Sequence, residues 1–277
     1  MFYEDLGKLI QISSHELDLV AKITQHPDRP RPFRPVDQIY MLPGSQLNQA
    51  KLISDYIRGR DVVFLGDGDC MSLVIGILAR NNVIKPPAFM RVLDFDDRIP
   101  DFIRKASREF GFENEIDAQR YNVRDPIPAD LVGCHDVFYT NPPYGSKNNG
   151  KSGIIFLARC MELCKPPRSW GVAILPFHHT EMWSREAMWN IQSFLVQHGY
   201  VVSEMLRKMH SYHLDDYPSL LSGTVVLDRI RKVDWPGASS TIPYAEMEKF
   251  YGGTQKDFPD YIDSNGNPVY TTGKGKL

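Results

Sequence analysis

Four consecutive residues, Asn141, Pro142, Pro143 and Tyr144, carry groups that could bind and activate an amine. They follow residues 136–140, an apolar run that we predict to be a strand. An asparagine oxygen and a backbone carbonyl fixed by proline can accept both N–H bonds of a planar amino group, and a tyrosine can stack on its ring. The motif therefore predicts group transfer onto nitrogen. The alternative is a turn that closes the strand, with Tyr144 on the surface.

A glycine-containing loop follows an earlier predicted strand, residues 61–66. Gly66 and Gly68 allow a ligand to approach the backbone, and the helix predicted to begin after them offers free N–H groups. The third glycine of a dinucleotide-binding loop is replaced here by Met71. Together with the Asn-Pro-Pro-Tyr motif, this loop predicts a sulfonium nucleotide donor rather than NAD.

Polar residues end the next two predicted strands. Asp94 can accept hydrogen bonds from both hydroxyls of a ribose, and Asn122 can recognise the edge of an adenine. Taken singly, each is explained equally well as a turn former. Because they stand at successive strand ends, together with Asp67 and Asp69 of the glycine loop, they predict a nucleotide-binding edge of the sheet.

The composition is that of a soluble globular protein. Of the 277 residues, 42% are hydrophobic and 24% are charged, no apolar run is long enough to span a membrane, and residues 1–12 lack a secretory signal. We therefore expect a cytoplasmic protein. The formal net charge of −2 gives no general attraction to phosphate backbones. The four cysteines lack paired spacing, so we predict free thiols and no metal site.

Predicted strands and helices alternate along the middle of the chain, which implies parallel strands joined by right-handed crossovers. Two later strands, residues 200–207 and 223–230, are joined by a segment too short for a helix and should be antiparallel. We therefore predict an α/β fold with a doubly wound, mainly parallel seven-stranded sheet that ends in an antiparallel hairpin. Three parts are expected: residues 1–35, a helical segment and basic proline-rich arm; 36–232, a Rossmann-like transferase domain; and 233–277, a loosely ordered tail.

Such a sheet resembles that of the class I S-adenosylmethionine-dependent methyltransferases. Residues 141–150 are similar to the NPPFGTKNN segment of the ribosomal-RNA N6-adenine methyltransferases within that superfamily. The resemblance implies S-adenosylmethionine as donor, with Gln38 at the cofactor, and an adenine of RNA or DNA as acceptor, with Phe177 beside the flipped base. Basic residues are then expected to contact phosphates: Lys147, Lys151, Arg29, Arg31 and Arg34.

The donor half resembles a second family, the branched-chain polyamine synthases, which are aminopropyltransferases. Residues 64–69, 92–99 and 123–128 carry this resemblance. It implies decarboxylated S-adenosylmethionine as donor and a spermidine-like polyamine as acceptor. The sequence departs from that family at Asn141, where the family has aspartate, and from both families at Asn122, where an acidic residue is usual.

The two resemblances imply acceptor amines with different protonation states, and the residues of the site can be compared with each. An alkyl amine has a pKa near ~10, so it arrives protonated and needs a carboxylate that binds it and removes a proton. Asn141 cannot do this, whereas the amino group of adenine is already neutral and needs only carbonyl acceptors. Against this, Asp67 and Asp69 would repel a donor tail that bears a carboxylate, and Asp69 could serve as the base if it faces the acceptor.

The leading expectation is therefore an S-adenosylmethionine-dependent N-methyltransferase of N6-adenine type that acts on nucleic acid. Asn141, Pro142, Pro143 and Tyr144 would be its catalytic residues. The alternative is an aminopropyltransferase of the branched-chain polyamine synthase type. A second alternative is a non-catalytic Rossmann-fold subunit, for which we expect a protein partner or a homo-oligomer.

Overall fold

The computed structural model describes residues 11–178, 180–215, 220–231, 239–252 and 258–270. Its centre is a seven-stranded sheet with the strand order β3-β2-β1-β4-β5-β7-β6. The strands are β1 Asp61–Leu65, β2 Phe89–Asp94, β3 Ile116–Arg120, β4 Val137–Thr140, β5 Trp170–Pro176, β6 Tyr200–His210 and β7 Ser222–Arg229. Strands β1 to β5 pair in parallel, and β7 is antiparallel to both β5 and β6. The predicted fold class is confirmed.

Helices cover both faces of this sheet. The described residues form α1 Ser14–Thr24, α2 Pro43–Ile57, α3 Met71–Arg80, α4 Arg98–Phe110, α5 Lys151–Leu163 and α6 Met182–Gln197. Side chains alternate along β1, so that Val62 and Phe64 pack in the core beneath α1 to α4, while Val63 and Leu65 pack in the core beneath α5 and α6. The C-terminal ends of the parallel strands remain as the edge where loops can form a site.

The C-terminal part of the chain differs from the loosely ordered tail that we expected. Phe250 and Tyr251 are buried in the same core as α5 and α6. Two short strands, β8 Tyr261–Ile262 and β9 Pro268–Val269, pair antiparallel. A sequence pattern misses such a segment, because each short piece gives one or two aromatic groups to a distant core and shows no period of its own.

Three further observations concern the chain as a whole. The first ten residues of the predicted helical segment lie outside the described residues. The described part of the chain has no helix long and apolar enough to cross a membrane, and no cluster of His, Cys, Asp or Glu in it could hold a metal ion. All four cysteines are free thiols, as predicted.

Candidate functional site

A cavity of about 700 Å³ opens at the C-terminal ends of β1, β2 and β4. Doubly wound sheets bind their ligands at this edge. The lining combines segments that are far apart in sequence: residues 34–40, Gly66, Gly68, Asp69, Asp94, Phe95, residues 141–144 and 146–147, Tyr212, Leu214, Leu220, Tyr251 and Gly252, with Phe156 from α5 and Trp183 from α6. Most of the predicted site residues therefore share one cavity.

Asp69 and Asn141 meet in this cavity. The Asn141 Nδ2 group donates a hydrogen bond of 2.8 Å to Asp69 Oδ2, and the Met41 backbone N–H donates one of 2.7 Å to Asp69 Oδ1. They are neighbours because the loops that carry them follow β1 and β4, which are adjacent strands. The structure thus places a carboxylate at the predicted amine site, beside the Asn141 amide.

The environment of Asp69 favours its action as a base. Its side chain is almost completely buried. Burial raises its pKa, against the opposing effects of the Met41 hydrogen bond, the Arg29 charge and the Asn141 amide. A carboxylate with a raised pKa holds a proton more strongly, which brings it closer to the range that suits a general base.

Tyr144 lies in the cavity wall and begins a chain of hydrogen bonds that leads into the buried interior. Its hydroxyl is 2.8 Å from that of Tyr212, which is 2.5 Å from Ser222 Oγ. Ser222 Oγ is in turn 2.8 Å from His210 Nδ1, and His210 Nε2 is 2.9 Å from Gln49 Oε1. Burial raises the pKa of Tyr144 to about 12 and lowers that of His210 to about 3, so both are neutral near pH 7. The alternative of a surface tyrosine does not fit.

Asp94 lies at the end of β2, as predicted, and faces the cavity. Its Oδ2 accepts a hydrogen bond from Asp67 N and its Oδ1 one from Asp96 N, both at 2.9 Å. Burial and the neighbouring Asp96 charge raise its pKa to about 7. Gly66, directly before Asp67, has a φ of 73°, and a Cβ there would lie 3.0 Å from the Phe156 ring, so glycine is required.

Asp67 does not line the cavity, contrary to our expectation that both it and Asp69 would repel the donor tail. Its carboxylate is buried beneath the cavity, where Oδ1 accepts from Met71 N at 2.7 Å and Oδ2 from Ser72 Oγ at 2.5 Å. It satisfies the free N–H groups at the start of α3. Burial raises its pKa to about 7. Two residues that stand two positions apart share a side only in an extended chain. Here the chain turns into α3 directly after Cys70, so Asp67 and Asp69 point in different directions.

Asn122 is also removed from the main cavity. Its Nδ2 group donates to the backbone oxygens of Pro259 and Asp260, at 3.2 and 2.6 Å, and its Oδ1 accepts from Arg124 N at 2.9 Å. These contacts attach the C-terminal segment to the end of β3. The predicted contact of Asn122 with an adenine is therefore not what the structure favours, because the amide is already engaged.

The remaining predicted residues divide into two groups. Gln38, Pro142, Pro143 and Lys147 line the cavity, and Gln38 Nε2 also donates to Asp96 Oδ2 at 2.8 Å. Phe177 and Lys151 are not part of the lining. The Phe177 ring packs on Gly223, with the Arg207 guanidinium 5.6 Å from its centre, and Lys151 forms an ion pair with Glu246. These contacts explain why neither side chain reaches the cavity.

The basic arm does not present its arginines as a phosphate-binding surface. Arg29 packs against the back of the glycine loop and donates to the Asp69 backbone oxygen at 3.1 Å. Arg31 is exposed, and Arg34 lies at the exposed rim of the cavity. The arm is part of the folded domain, so its basic residues have three different environments.

Sequence reasoning missed one wall of the cavity. Asp37 lines it, and its Oδ2 accepts a hydrogen bond of 2.6 Å from Gly252 N. Tyr251, next to that glycine, stacks on Phe95 with ring centres 6.3 Å apart and on Phe258 at 5.6 Å. Asp37 directly precedes Gln38, a predicted site residue, but no signal in the sequence marks Tyr251 or Gly252.

The charges of the lining follow a clear pattern. Among the described residues, three carboxylates line the cavity: Asp69 and Asp94 are buried, and Asp37 is half-buried. The cationic side chains of the lining, Arg34 and Lys147, are exposed at its rim. The interior therefore favours a positively charged ligand over an anionic one.

Comparison with known proteins identifies the family. Residues 18–261 match the model of the branched-chain polyamine synthase A C-terminal domain. The chain belongs to this family. The N(4)-bis(aminopropyl)spermidine synthase of Thermococcus kodakarensis is 28% identical over 74% of this chain, and that of Thermus thermophilus is 27% identical over 79%. The chain spans 56% and 60% of the length of these two relatives.

Solved structures share the fold. The branched-chain polyamine synthase of Thermus thermophilus, in complex with N4-aminopropylspermidine and 5′-methylthioadenosine, superimposes with a TM-score of 0.72 and 22% identity over 88% of this chain and 71% of its own. A protein from Pyrococcus horikoshii described as a putative RNA methyltransferase gives a TM-score of 0.57 and 15% identity, over 79% of this chain and 100% of its own. The fold alone therefore does not separate the two reactions.

The leading expectation, an N6-adenine methyltransferase that acts on nucleic acid, is wrong. The family match and the synthases that are 27–28% identical favour the alternative, aminopropyl transfer. The argument failed because it gave more weight to the missing carboxylate at position 141 than to the alternative that Asp69 faces the acceptor. The carboxylate that Asn141 lacks is supplied by Asp69, 72 positions earlier in the chain.

Proposed function

We propose that this protein is an aminopropyltransferase that transfers the aminopropyl group of decarboxylated S-adenosylmethionine to an amine of a spermidine-like polyamine. The observation that carries the proposal is the hydrogen bond between Asp69 Oδ2 and Asn141 Nδ2. It sets a buried carboxylate at the motif whose geometry suits an amine. Both resemblances in the sequence then describe parts of one site.

Asp69 has two tasks in this proposal. Its charge attracts the protonated amine, and its carboxylate takes the proton that the nitrogen must lose to become a nucleophile. The nitrogen then forms a bond to the aminopropyl carbon as the carbon–sulfur bond breaks, and the electron pair of that bond stays on sulfur in 5′-methylthioadenosine. Asn141 holds the Asp69 carboxylate, and the Tyr144 ring packs beside the acceptor chain.

The lining fits the donor in its decarboxylated form. In this proposal Asp94 accepts hydrogen bonds from the ribose hydroxyls, and the purine lies against the Phe95 and Tyr251 rings, which also line the cavity. When bound, the donor supplies a sulfonium group whose aminopropyl tail is cationic. An intact S-adenosylmethionine would bring a carboxylate toward Asp69 and Asp37, and this repulsion disfavours it.

The relatives support the acceptor class. The two curated synthases are named for bis(aminopropyl)spermidine, and the Thermus thermophilus structure contains N4-aminopropylspermidine with 5′-methylthioadenosine. A spermidine-like chain carries several positive charges, which matches the three carboxylates of the lining. We therefore assign a polyamine, and not a nucleic acid, to the acceptor site.

The test is a product analysis by mass spectrometry. Purified protein is incubated with spermidine and either decarboxylated or intact S-adenosylmethionine, and a third reaction replaces spermidine with an adenine-containing oligonucleotide. We expect 5′-methylthioadenosine and an aminopropylated polyamine in the first reaction only. Absence of turnover with every polyamine tried would contradict the proposal, and tight donor binding without turnover would favour a non-catalytic subunit.

A further inference from the structure

Arg29 contacts the main chain of the proposed base from behind the cavity wall. Its Nη2 donates to the Asp69 backbone oxygen at 3.1 Å, and its Nη1 donates to the Thr24 oxygen at 3.1 Å, at the C-terminal end of α1. Its guanidinium carbon lies 4.2 Å from the centre of the Tyr40 ring. Asp69 and Tyr40 line the cavity, and Arg29 does not. Arg29 therefore affects the site without touching its contents.

The positive charge of Arg29 is not neutralised by an ion pair with another described residue. It contacts two backbone carbonyls, the Tyr40 ring and the Cys70 thiol, and none of these carries a negative charge. A guanidinium stays charged at every pH at which proteins are folded. Its charge therefore acts on the nearby Asp69 carboxylate, whose pKa it lowers against the larger effect of burial.

The loop that carries Asp69 is strained. Cys70, the next residue, has a φ of 57°, a left-handed conformation that is costly for a residue other than glycine. Such a conformation persists where surrounding contacts fix it. Arg29 supplies one of these contacts, and the buried Gln46 of α2 donates to the same Asp69 oxygen at 2.8 Å.

We propose that Arg29 is a positioning residue for Asp69: it holds the strained loop in the orientation that points Asp69 into the cavity, and its charge favours the ionised carboxylate. The inference rests on the proposed function. It gives the basic arm a role in the reaction instead of a role in phosphate binding. Lysine could supply the charge at this position but not the planar fork that binds two carbonyl oxygens at once.

Several other titratable groups face Asp69. They are Asp67 and Cys70 on its own loop, Tyr40 after the arm, Tyr139 and Tyr144 on β4 and its loop, and Tyr212 after β6. Burial raises the pKa of the thiol and of each phenol, so these groups stay protonated near neutral pH. Asp67 is the other carboxyl group of this set, and burial raises its pKa to about 7.

The kinetic test compares Arg29→Gln, Arg29→Lys and Arg31→Gln in pH profiles of kcat/KM for the acceptor. Because the reaction needs ionised Asp69, we expect the acidic limb of Arg29→Gln to move up by about one pH unit. Arg29→Lys should keep the limb near its original pH but lower kcat by about tenfold, since the loop is held less precisely. Arg31→Gln, a matched change on the exposed part of the arm, should match the unchanged protein.

A second measurement does not depend on turnover. The titration of the Asp69 carboxyl carbon is followed by NMR in protein with labelled aspartate, and the signal is assigned by its loss in Asp69→Asn, which separates it from Asp67. We expect the midpoint of the Asp69 titration to lie about one pH unit higher in Arg29→Gln than in the unchanged protein. In Arg29→Lys, which keeps the positive charge, it should lie near that of the unchanged protein. An unchanged midpoint in folded Arg29→Gln would overturn the inference, and so would an equal shift in both variants.

The two proposals can fail separately. If the unchanged protein transfers no aminopropyl group to any polyamine, the proposed function fails, and the NMR titration still decides whether Arg29 controls Asp69. If transfer occurs but Arg29→Gln leaves both the acidic limb and the midpoint in place, only the role of Arg29 fails. Should Arg29→Gln not fold, Arg29→Lys remains: an unaltered kcat in that variant would overturn the positioning role.

Discussion

The hydrogen bond between Asp69 and Asn141 fixes the orientation of both side chains. The Asn141 amide gives one N–H to the Asp69 carboxylate, so its orientation is fixed by a charged partner. Asp69 in turn has one oxygen held by Met41 N and the other by Asn141, which leaves each oxygen one further lone pair for an ammonium group. An asparagine at position 141 therefore suits amine chemistry when an aspartate stands opposite.

Asp69→Asn tests the base directly. We expect transfer to fall by roughly 10²- to 10⁴-fold, the range typical of a lost general base, because an amide cannot take the proton. The rate is measured with decarboxylated S-adenosylmethionine and spermidine. Calorimetric binding of 5′-methylthioadenosine is the control and should stay within a few-fold, since the proposal assigns Asp69 to the acceptor and not to the nucleoside. A variant that retained the full rate would exclude Asp69 as the base.

Two substitutions at Tyr144 separate the contribution of its ring from that of its hydroxyl group. We expect Tyr144→Ala to raise the KM for the polyamine by about tenfold through loss of the aromatic surface, whereas Tyr144→Phe should keep the KM nearly unchanged. The control is again affinity for 5′-methylthioadenosine, which neither change should alter. If Tyr144→Phe were as damaging as Tyr144→Ala, the hydroxyl rather than the ring would be the functional group.

The site residues that the sequence could predict stand at strand ends. Asp94 and Asn141 were found because the carboxyl ends of neighbouring parallel strands meet at one edge. Asp67 was assigned wrongly because residues two apart share a side only while the chain is extended, and here a left-handed residue, Cys70, starts a helix. The direction of a side chain in a tight turn depends on backbone angles that spacing does not reveal.

At the scale of elements, a path of polar side chains joins helix α2 to the antiparallel hairpin and the cavity. It runs from Gln49 on α2 through His210 on β6 and Ser222 on β7 to Tyr212 and the cavity. The hairpin was predicted from two strands with a short connection, but its contact with α2 was not. Hydrogen bonds between side chains so far apart in sequence leave no periodic pattern.

His210→Gln tests this path through the pH dependence of stability. The His210 pKa is about 3 in the folded protein and near 6.5 when unfolded, so protonation favours unfolding. The stabilising contribution of neutral His210 is complete above pH 6.5 and is lost as the pH falls toward 3, by about 1 kcal/mol per pH unit.

We therefore expect the difference in the free energy of unfolding between the unchanged protein and His210→Gln to move in favour of the variant as the pH falls from 7 to 4.5. Urea unfolding at several pH values measures it. Burial of Asp67 and Asp94 has the opposite effect on stability, because raised carboxyl pKa values favour the folded state at low pH. Both residues are present in each protein, so their contributions to the free energy of unfolding cancel in the difference. A difference that does not change with pH would contradict this.

At the scale of the molecule, the C-terminal segment is part of the core and not an appendage. Phe250 is 2% exposed and packs edge-on against Tyr251 and Phe258, with ring centres 5.1 and 5.0 Å apart. It also contacts Phe156 of α5, at 6.2 Å between ring centres. We therefore propose that residues 239–252 and 258–270 unfold together with the sheet.

Phe250→Ala should lower the free energy of unfolding by about 3–5 kcal/mol, the usual cost of removing a buried phenylalanine. Urea unfolding is followed by far-ultraviolet circular dichroism and by tryptophan fluorescence, and both signals should move together to a lower midpoint. Trp189→Ala is the control, because that side chain is 72% exposed and its loss should change stability little. An early separate transition would show that the segment unfolds independently.

The contact between Asp37 and Gly252 has a consequence for the nascent chain. The two residues form adjoining parts of one cavity wall, although 215 positions separate them in the chain. At a synthesis rate of about 5–20 residues per second, on the order of 10–40 s pass between their additions. During that interval the loops with Asp69 and Asp94 already exist, but the wall that completes the cavity does not. A chain interrupted before Gly252 therefore carries both loops but leaves the Asp37 carboxylate without its contact in the wall.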